Sequence, residues 1–266
     1  MDSSSNKGSS GAASYYNRWS SFQRDVAHQV LDNQELQLQD AKLVLDLGCG
    51  TGNMTAALLE HLSQDCKIIA VDPDVERIKV AQQLHGCHSN ITFQTGSSDS
   101  FPHMLKECYD IAVNNFVIQL IKERQVAMDN ISKSLKPGGR LLMTYPCLET
   151  YLAPNNSFYK WLSEVAPPEQ LKTWNNMLQI SKLVPQLLED LCTNAGLTIL
   201  SSVKGQKWTT FDNFETLSEY LYGVSHGVVD IRGSEFDQII KNTTPPLNSD
   251  GKIEREMIYG IIVARK

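Results

Sequence analysis

The sequence predicts an α/β protein in which a mostly parallel β-sheet is covered by helices on both faces. Short apolar runs such as residues 42–47 and 67–71 have the length and composition of buried strands. Segments of about ten residues with helical spacing separate these runs, and a turn with three glycines, residues 48–52, follows the first strand. This alternation is typical of parallel sheets buried on both faces, with right-handed crossovers.

The elements of the first half follow in chain order. Residues 15–36 carry apolar side chains at helical spacing, which predicts one amphipathic helix or two short ones. Residues 136–139, Lys-Pro-Gly-Gly, are predicted to form a turn before the fifth strand. The five strands are predicted at residues 42–47, 67–71, 91–95, 109–116 and 140–146, with helices at 53–62, 75–84 and 125–135.

The alternation ends after residue 146. Residues 147–192 are predicted to be mostly helical, followed by a strand at 197–205 and a further helical stretch at 212–241. A loop at 245–252 and a closing strand at 256–266 complete the chain. The chain is predicted to consist of five segments. They are a disordered tail (1–14), an entrance helix (15–40), a ligand-binding core (41–146), a helical cap (147–192) and the last core strands with a helical insertion (193–266).

The composition excludes several classes of protein. A net charge of −6 argues against a nucleic-acid surface, which needs clustered lysine and arginine. No run of 18 apolar residues is present, so we expect no membrane span. Six scattered cysteines without a Cys-x-x-Cys pair favour reduced thiols, a cytoplasmic location and no metal site. Nothing in the sequence demands more than a monomer.

The glycine turn has the order Gly48-Cys49-Gly50-Thr51-Gly52. A dinucleotide fingerprint would need a glycine at position 53, and a Walker loop would need Gly-Lys-Ser/Thr. An acid precedes the turn at Asp46, and another, Asp72, ends the second strand, where it can accept hydrogen bonds from ribose hydroxyls. These residues point to a cationic nucleoside without phosphate, which is S-adenosylmethionine. The alternative is a tight turn with two solvated aspartates.

These segments resemble the class I S-adenosylmethionine-dependent methyltransferases. The matching segments are "LDLGCGTG" at 45–52, "VD" at 71–72, "YDIAVNNFVIQ" at 109–119 and "LKPGGRLLM" at 135–143. The resemblance implies a Rossmann-like sheet of seven strands, the last of them antiparallel. The cofactor, which leaves as S-adenosylhomocysteine, would lie across the carboxyl ends of strands one, two and four.

The resemblance also assigns roles to single residues. Asp46 would hold the cofactor's amino group and Asp72 its ribose. An acid after the third strand usually binds adenine in this class, but Ser97 and Ser98 occupy that position here and Asp99 lies slightly later. The remaining cofactor-binding positions, around the methionine part, the ribose and the methyl-transfer channel, are Gly48, Cys49, Gly50, Gly52, Pro73, Asn114 and Asn115.

Within this class, the segment "FQRDVAHQVL" at 22–31 resembles the entrance helix of the juvenile hormone acid and trans-aconitate carboxyl methyltransferases. The resemblance implies that Gln23 orients a substrate carboxylate. Gln119 and Leu120 stand where a His-Trp pair is common, which is a departure from the juvenile hormone type. Trp19 on the entrance helix and Tyr145 at the end of the fifth strand are expected to overhang the transferred methyl group.

The chemistry of methyl transfer bears on the substrate. A carboxylate is ionised at neutral pH and needs no base, whereas an amine must first lose a proton. His226 is the histidine expected to face a pocket, with a solvated or core position as the alternative. We therefore predict O-methylation of a small-molecule carboxylate. The alternatives are N-methylation of an amine attracted by cap acids, or a binding protein without catalysis; the cap acids are Glu149, Glu164, Glu215 and Glu219.

Overall fold

The computed structural model describes residues 10–19, 21–147, 156–178 and 183–266 of the chain. Seven strands form one sheet in the order β3-β2-β1-β4-β5-β7-β6. The strands are β1 (Leu43–Leu47), β2 (Lys67–Asp72), β3 (Ile91–Thr95), β4 (Tyr109–Asn115), β5 (Leu135–Pro146), β6 (Thr198–Phe211) and β7 (Ile253–Arg265). The predicted fold class, a Rossmann-like, mostly parallel seven-stranded sheet, is confirmed.

Helices cover both faces of this sheet. Those before the fifth strand are α1 (Ser10–Trp19), α2 (Ser21–Leu31), α3 (Asn53–His61), α4 (Val75–His85) and α5 (Arg124–Ser134). Those after it are α6 (Ser157–Val165), α7 (Pro168–Leu178), α8 (Pro185–Asn194), α9 (Phe214–Val224) and α10 (Asp237–Asn242).

The strand pairing brings the carboxyl ends of five parallel strands to one edge of the sheet. β1 pairs in parallel with β2 and β4, β2 with β3, and β4 with β5. β7 runs antiparallel between β5 and β6. Parallel strands need crossover helices, so the loops that follow β1, β2, β3 and β4 all open on the same side.

Two apolar clusters bury the two faces of the sheet. One joins α2, α3 and the helices α6, α7 and α9 to the sheet, with Phe22, Leu58 and Trp174 among its buried side chains. The other packs α5 and α8 on the opposite face, around Met128 and Leu188. Burial of this apolar surface on both faces is the main favourable term in the stability of the fold.

The amino-terminal region differs in part from the prediction. Residues 1–9 of the predicted disordered tail lie outside the described residues, but α1 begins at Ser10, so the prediction is wrong for residues 10–14. Ala12 and Ala13 are 3% exposed. Their small side chains let α1 pack closely on another helix, and tertiary packing orders a segment whose Ser/Gly-rich composition favours disorder. Of the two possibilities left open for residues 15–36, two helices are found, α1 and α2.

Some boundaries in the second half also differ. The predicted turn at 136–139 lies inside β5 as an irregularity, because Tyr109 pairs with Leu135 while Ile111 already pairs with Arg140. β6 is longer than predicted, since its pairing with β7 extends to Phe211. The predicted helical stretch at 212–241 contains α9 and α10 with mostly irregular chain between them.

The structure places Tyr145 in the core and not over the cavity described below. The ring is 1% exposed, and a Cβ added at Gly260, its neighbour on β7, would overlap the ring atoms Cε1 and Cζ. The expectation that Tyr145 overhangs the methyl group is therefore wrong. Residues alternate between the faces of a strand, and Tyr145 falls on the face away from the cavity.

The close approach of Gly260 and Tyr145 gives a first prediction. Gly260→Ala is expected to lower the free energy of unfolding by roughly 1–3 kcal/mol, because the buried ring has no room to move. Urea unfolding followed by circular dichroism measures this effect. Gly11→Ala is the control, since its Cβ would meet Tyr15 at an ordinary 3.7 Å. Equal stability of the two variants would contradict the prediction.

Candidate functional site

A cavity of about 770 Å³ opens at the carboxyl ends of the parallel strands. Its size lies in the range of small-molecule and cofactor sites. The loops after β1, β2 and β3 form one half, side chains from α2, α7, α9 and β7 form the other, and the loop after β4 contributes to both. The predicted site residues that line it are Gln23, Gly48, Cys49, Gly50, Asp72, Pro73, Ser97, Ser98, Asn115, Gln119 and His226.

The glycine turn presents bare backbone to this cavity. Gly48 has a φ of +82° and Gly50 a φ of +56°, conformations that residues with a Cβ rarely adopt. The Gly48 and Cys49 N–H groups donate to the Val71 carbonyl at 2.8 and 3.0 Å, which ties the turn to β2. A Cβ on Gly48 would lie 2.6 Å from Val117 Cγ1, so the turn fits tightly under the loop after β4.

Asp46 lies beneath this turn and is 1% exposed. Its Oδ2 accepts a hydrogen bond of 2.6 Å from the Thr55 hydroxyl on α3, whereas its Oδ1 is buried and has no partner. Burial raises the pKa of Asp46 to about 7, and the negative charge of Asp72 adds to this effect. A bound cation would favour the ionised form and lower this pKa.

Asp72 is fixed at the end of β2 by two backbone donors. Its Oδ2 accepts from the Gly50 N–H and its Oδ1 from the Asp74 N–H, both at 2.9 Å. Burial raises the pKa of Asp72, and the Arg77 guanidinium counteracts this shift. Each carboxylate oxygen keeps a lone pair, so Asp72 can still accept hydrogen bonds from a ligand's hydroxyl groups.

Three buried oxygens around the glycine turn lack hydrogen-bond partners among the described residues: Asp46 Oδ1, Thr51 Oγ1 and Asn114 Oδ1. Asn114 is held by a weak 3.4 Å bond from its Nδ2 to the Leu47 carbonyl. Unpartnered buried polar atoms are costly, and a ligand that donates hydrogen bonds would satisfy them. An amino group fits this set of acceptors, which is what the amino-acid part of S-adenosylmethionine carries.

The loop after β3 also lines the half of the cavity that contains the glycine turn. Ser97 and Ser98 line the cavity together with Asp99, and the Ser97 hydroxyl donates a short hydrogen bond to Asp99. The Ser98 carbonyl accepts from Asn130 Nδ2 at 3.0 Å. Ser97 and Asp99 are therefore coupled, and this pair is the candidate contact for an adenine amino group.

The other half of the cavity is apolar with a few neutral polar groups. Gln23 and Gln119 are each 6% exposed and have an unpartnered buried Oε1. The Gln119 Nε2 donates to the Phe116 carbonyl at 2.5 Å, which fixes its amide. The apolar walls of this half, which we call the acceptor chamber, are Phe22, Phe116, Trp174, Met177, Leu178, Val224 and Met257.

Four other predicted site residues do not line the cavity. Asp46 and Asn114 lie buried beneath the turn, at 1% exposure each. Gly52 caps the start of α3 with a φ of +87°, and its Cβ would meet His85 and Phe93 on the side away from the cavity. Tyr145 lies in the core, as described above. The side chain of Trp19 lies outside the described residues, so its predicted role stays untested.

Arg77 and His226 extend the site where α4 meets the loop after α9. Arg77, 6% exposed, donates from Nη2 to the Gly223 carbonyl at 3.2 Å and lies over the Tyr16 ring, with its Cζ 4.3 Å from the centroid. Burial, with the nearby Arg77 charge, lowers the pKa of His226 well below its usual value, so its imidazole is neutral. Sequence reasoning missed Arg77, because its only signal is its place five residues after Asp72.

The described acids that were predicted to attract an amine substrate do not line this cavity. Glu164 is exposed, and Glu215 and Glu219 line a second cavity beside Arg232. Glu149 lies outside the described residues. In the described ranges, no group of three or more histidine, cysteine, aspartate or glutamate residues is placed to hold a metal ion. No helix in those ranges is long and apolar enough to cross a bilayer.

Comparison with known proteins identifies the class. A family model described as a methyltransferase domain matches residues 38–216. Malonyl-[acyl-carrier protein] O-methyltransferase of Halalkalibacterium halodurans is 30% identical over 158 residues, which are 56% of this chain and 57% of the relative. Ubiquinone/menaquinone biosynthesis C-methyltransferase UbiE of Syntrophotalea carbinolica is 32% identical over 128 residues, 48% and 53% of the two chains. The chain thus spans about half the length of these curated relatives.

Solved structures share the fold. Protein BH2331 of Bacillus halodurans C-125 superposes with a TM-score of 0.58 at 17% identity, over 90% of this chain and 98% of that one. Geranyl diphosphate methyltransferase in complex with S-adenosylmethionine gives a TM-score of 0.55 at 15% identity, over 91% and 84%. At these identities the likeness concerns the fold alone.

The match over residues 38–216, together with the glycine turn and its acids, defines the class: this chain belongs to the methyltransferase domain family. The predicted class of S-adenosylmethionine-dependent enzymes, with S-adenosylmethionine as the cofactor, is confirmed at the level of this family. The finer assignment to the juvenile hormone acid and trans-aconitate type is not part of this match.

Proposed function

We propose that this chain transfers the methyl group of S-adenosylmethionine to a carboxylate of a small molecule that carries an apolar portion. The observation that carries the proposal is the division of one cavity into two halves of different chemistry. Acids and bare backbone line the cofactor half, whereas the acceptor chamber has apolar walls and neutral hydrogen-bonding groups. When bound, S-adenosylmethionine supplies an electrophilic methyl group next to a sulfonium charge.

The residues of the chain would then supply alignment and exclusion of water. Asp46 would hold the amino group and Asp72 the ribose. Gln23 would orient the acceptor by a hydrogen bond from its Nε2, and Gln119 by the second N–H of the Nε2 group that already donates to the Phe116 carbonyl. A carboxylate is ionised without a base, so positioning in an apolar chamber accounts for most of the rate enhancement that the residues must provide.

Two further points support a carboxylate acceptor. None of the described cap acids lines the cavity, so a cationic amine would find no counter-charge on the part of the cap that the structure describes. The malonyl-[acyl-carrier protein] O-methyltransferases, by their name, are O-methyltransferases, and several of them are about 30% identical to this chain. The resemblance of residues 22–31 to the entrance helix of carboxyl methyltransferases agrees with this assignment.

A second candidate is N-methylation of a small amine. His226 lines the cavity, and its neutral imidazole can accept a hydrogen bond from an amine N–H. The Gln119 Oε1, oriented by the bond from Nε2 to Phe116, is an acceptor that suits an N–H donor.

The pH dependence of activity separates the two candidates. Purified protein is supplied with labelled S-adenosylmethionine at saturation and with fatty, terpenoid and polycarboxylic acids beside amines. A carboxylic acid should be methylated at a rate that is flat from about pH 6 to pH 9, because its pKa lies near 4. A rate that rises toward pH 9, with an amine as the methylated compound, would contradict the proposal. Saturation is needed because the raised pKa of Asp46 is expected to make cofactor affinity depend on pH.

A further inference from the structure

Tyr220 is a buried phenol on α9. The residue lines the cavity but is only 2% exposed, so its ring is held by the packing around it. One face packs against Phe211, with 5.1 Å between ring centroids. A polar group held rigidly in an apolar chamber can select among ligands. A ligand that forms no hydrogen bond with the group leaves it buried and unpartnered, which weakens binding.

A buried arginine is hydrogen-bonded to the Tyr220 hydroxyl. Arg255, 3% exposed on β7, donates from Nη1 to Tyr220 Oη at 2.8 Å. Met257 is two residues further along the same strand face and lines the chamber, so Arg255 lies one side-chain layer away from it. The guanidinium is also 5.3 Å from the Phe158 ring centroid.

This bond fixes the direction of hydrogen bonding at Tyr220. An arginine can only donate, so the phenol oxygen is the acceptor and its own O–H remains as a donor. No hydrogen bond from this O–H to a described residue is found. A phenol that accepts from a cation is a stronger donor, and its preferred partner is an anionic oxygen.

We propose that Tyr220, supported by Arg255, determines specificity by donating a hydrogen bond to a carboxylate oxygen of the acceptor. The inference rests on the proposed function, since it assigns the group that would favour a carboxylate over a neutral compound at the same site. Neither Tyr220 nor Arg255 takes part in forming the bond between the methyl group and the acceptor oxygen.

The test measures binding, so it does not depend on turnover. Decanoate and decanol are titrated into the protein saturated with S-adenosylhomocysteine, and Tyr220→Phe is compared with the unmodified protein. We expect decanoate to bind about tenfold more weakly to the variant and decanol at most threefold more weakly, because hydrogen bonds to charged groups contribute more. The affinity for S-adenosylhomocysteine should not change.

Two further variants control the result. Tyr222→Phe removes a hydroxyl from the same helix at a residue that does not line the cavity and packs on Arg232, and it should leave both affinities unchanged. Arg255→Gln keeps a donor but removes the charge, and it should weaken decanoate binding more than decanol binding.

The inference is overturned if decanoate does not bind the unmodified protein, or if Tyr220→Phe weakens decanoate and decanol equally. Failure of the proposed function looks different. In that case Tyr220→Phe still weakens decanoate binding more than decanol binding, but no carboxylic acid accepts label in the activity screen.

Discussion

Asp46→Asn is expected to weaken S-adenosylmethionine binding by at least about 100-fold. The carboxylate lies beneath the glycine turn, 1% exposed, with one oxygen bound to Thr55 and the other unpartnered. Removing the charge from a buried pair with the cofactor's ammonium group costs about 3 kcal/mol or more. Isothermal titration calorimetry measures the dissociation constant directly.

The same substitution should stabilise the protein without cofactor. Burial raises the pKa of Asp46 in the folded state to about 7, whereas an aspartate in the unfolded chain has a pKa near 4. A raised pKa means that the stability contribution is present below about pH 4 and is lost as pH rises through 7. At pH 8, Asp46→Asn should therefore be more stable than the parent by on the order of 3 kcal/mol, and at pH 4 the two should be nearly equal.

Cofactor affinity of the parent protein should show the matching pH dependence. Since the ammonium group favours ionised Asp46, binding releases a proton near pH 7, and the affinity should rise with pH through this value and then level off. Asp40→Asn, an exposed surface change, is the control and should alter neither the cofactor affinity nor its pH dependence. An affinity independent of pH, or unchanged in Asp46→Asn, would contradict the assignment of Asp46.

Among the substitutions near the site, Gly48→Ala is expected to cause the largest loss of folding stability. The residue has a φ of +82°, and a Cβ there would lie 2.6 Å from Val117 Cγ1. Left-handed backbone costs a residue with a Cβ about 1–2 kcal/mol, and the overlap adds to it, so we expect a loss of roughly 2–4 kcal/mol. Thermal unfolding measures the loss, and Gly48→Ala combined with Val117→Ala should recover the steric part.

Alanine substitutions at two other glycines separate the effect of backbone strain on stability from the effect on cofactor binding. Gly138 has a φ of +79° with nothing within 4 Å of its Cβ position, so Gly138→Ala should show the backbone strain alone and keep cofactor affinity. Gly50 has a φ of +56°, and its Cβ would lie 3.6 Å from Arg77 Nη1, at the cavity wall. Gly50→Ala should fold nearly as well as Gly138→Ala but bind cofactor at least tenfold more weakly. Similar stability of the alanine variants at Gly48 and Gly138 would contradict this account.

Much of the cofactor half was predictable because it is local in sequence. The glycine turn needs bare backbone within five residues, and the two acids end adjacent strands, so strand order brings them together. The alternating apolar runs likewise place β1 to β5 to within a few residues. The parts that differ, such as α1 at residues 10–14 and the extent of β6, depend on packing and strand pairing with distant segments.

The sequence by itself determined the fold class, the glycine turn and the chemistry of Asp46 and Asp72, because these depend on patterns within a few residues. Tertiary structure alone decided which side chains face the acceptor chamber. Tyr145 is turned into the core by strand alternation, whereas Arg77 and Tyr220 reach the cavity from α4 and α9, and Arg255 of β7 binds Tyr220. Contacts between residues 35 or more positions apart, such as Tyr220 with Arg255, leave no local pattern, so only the folded chain reveals them.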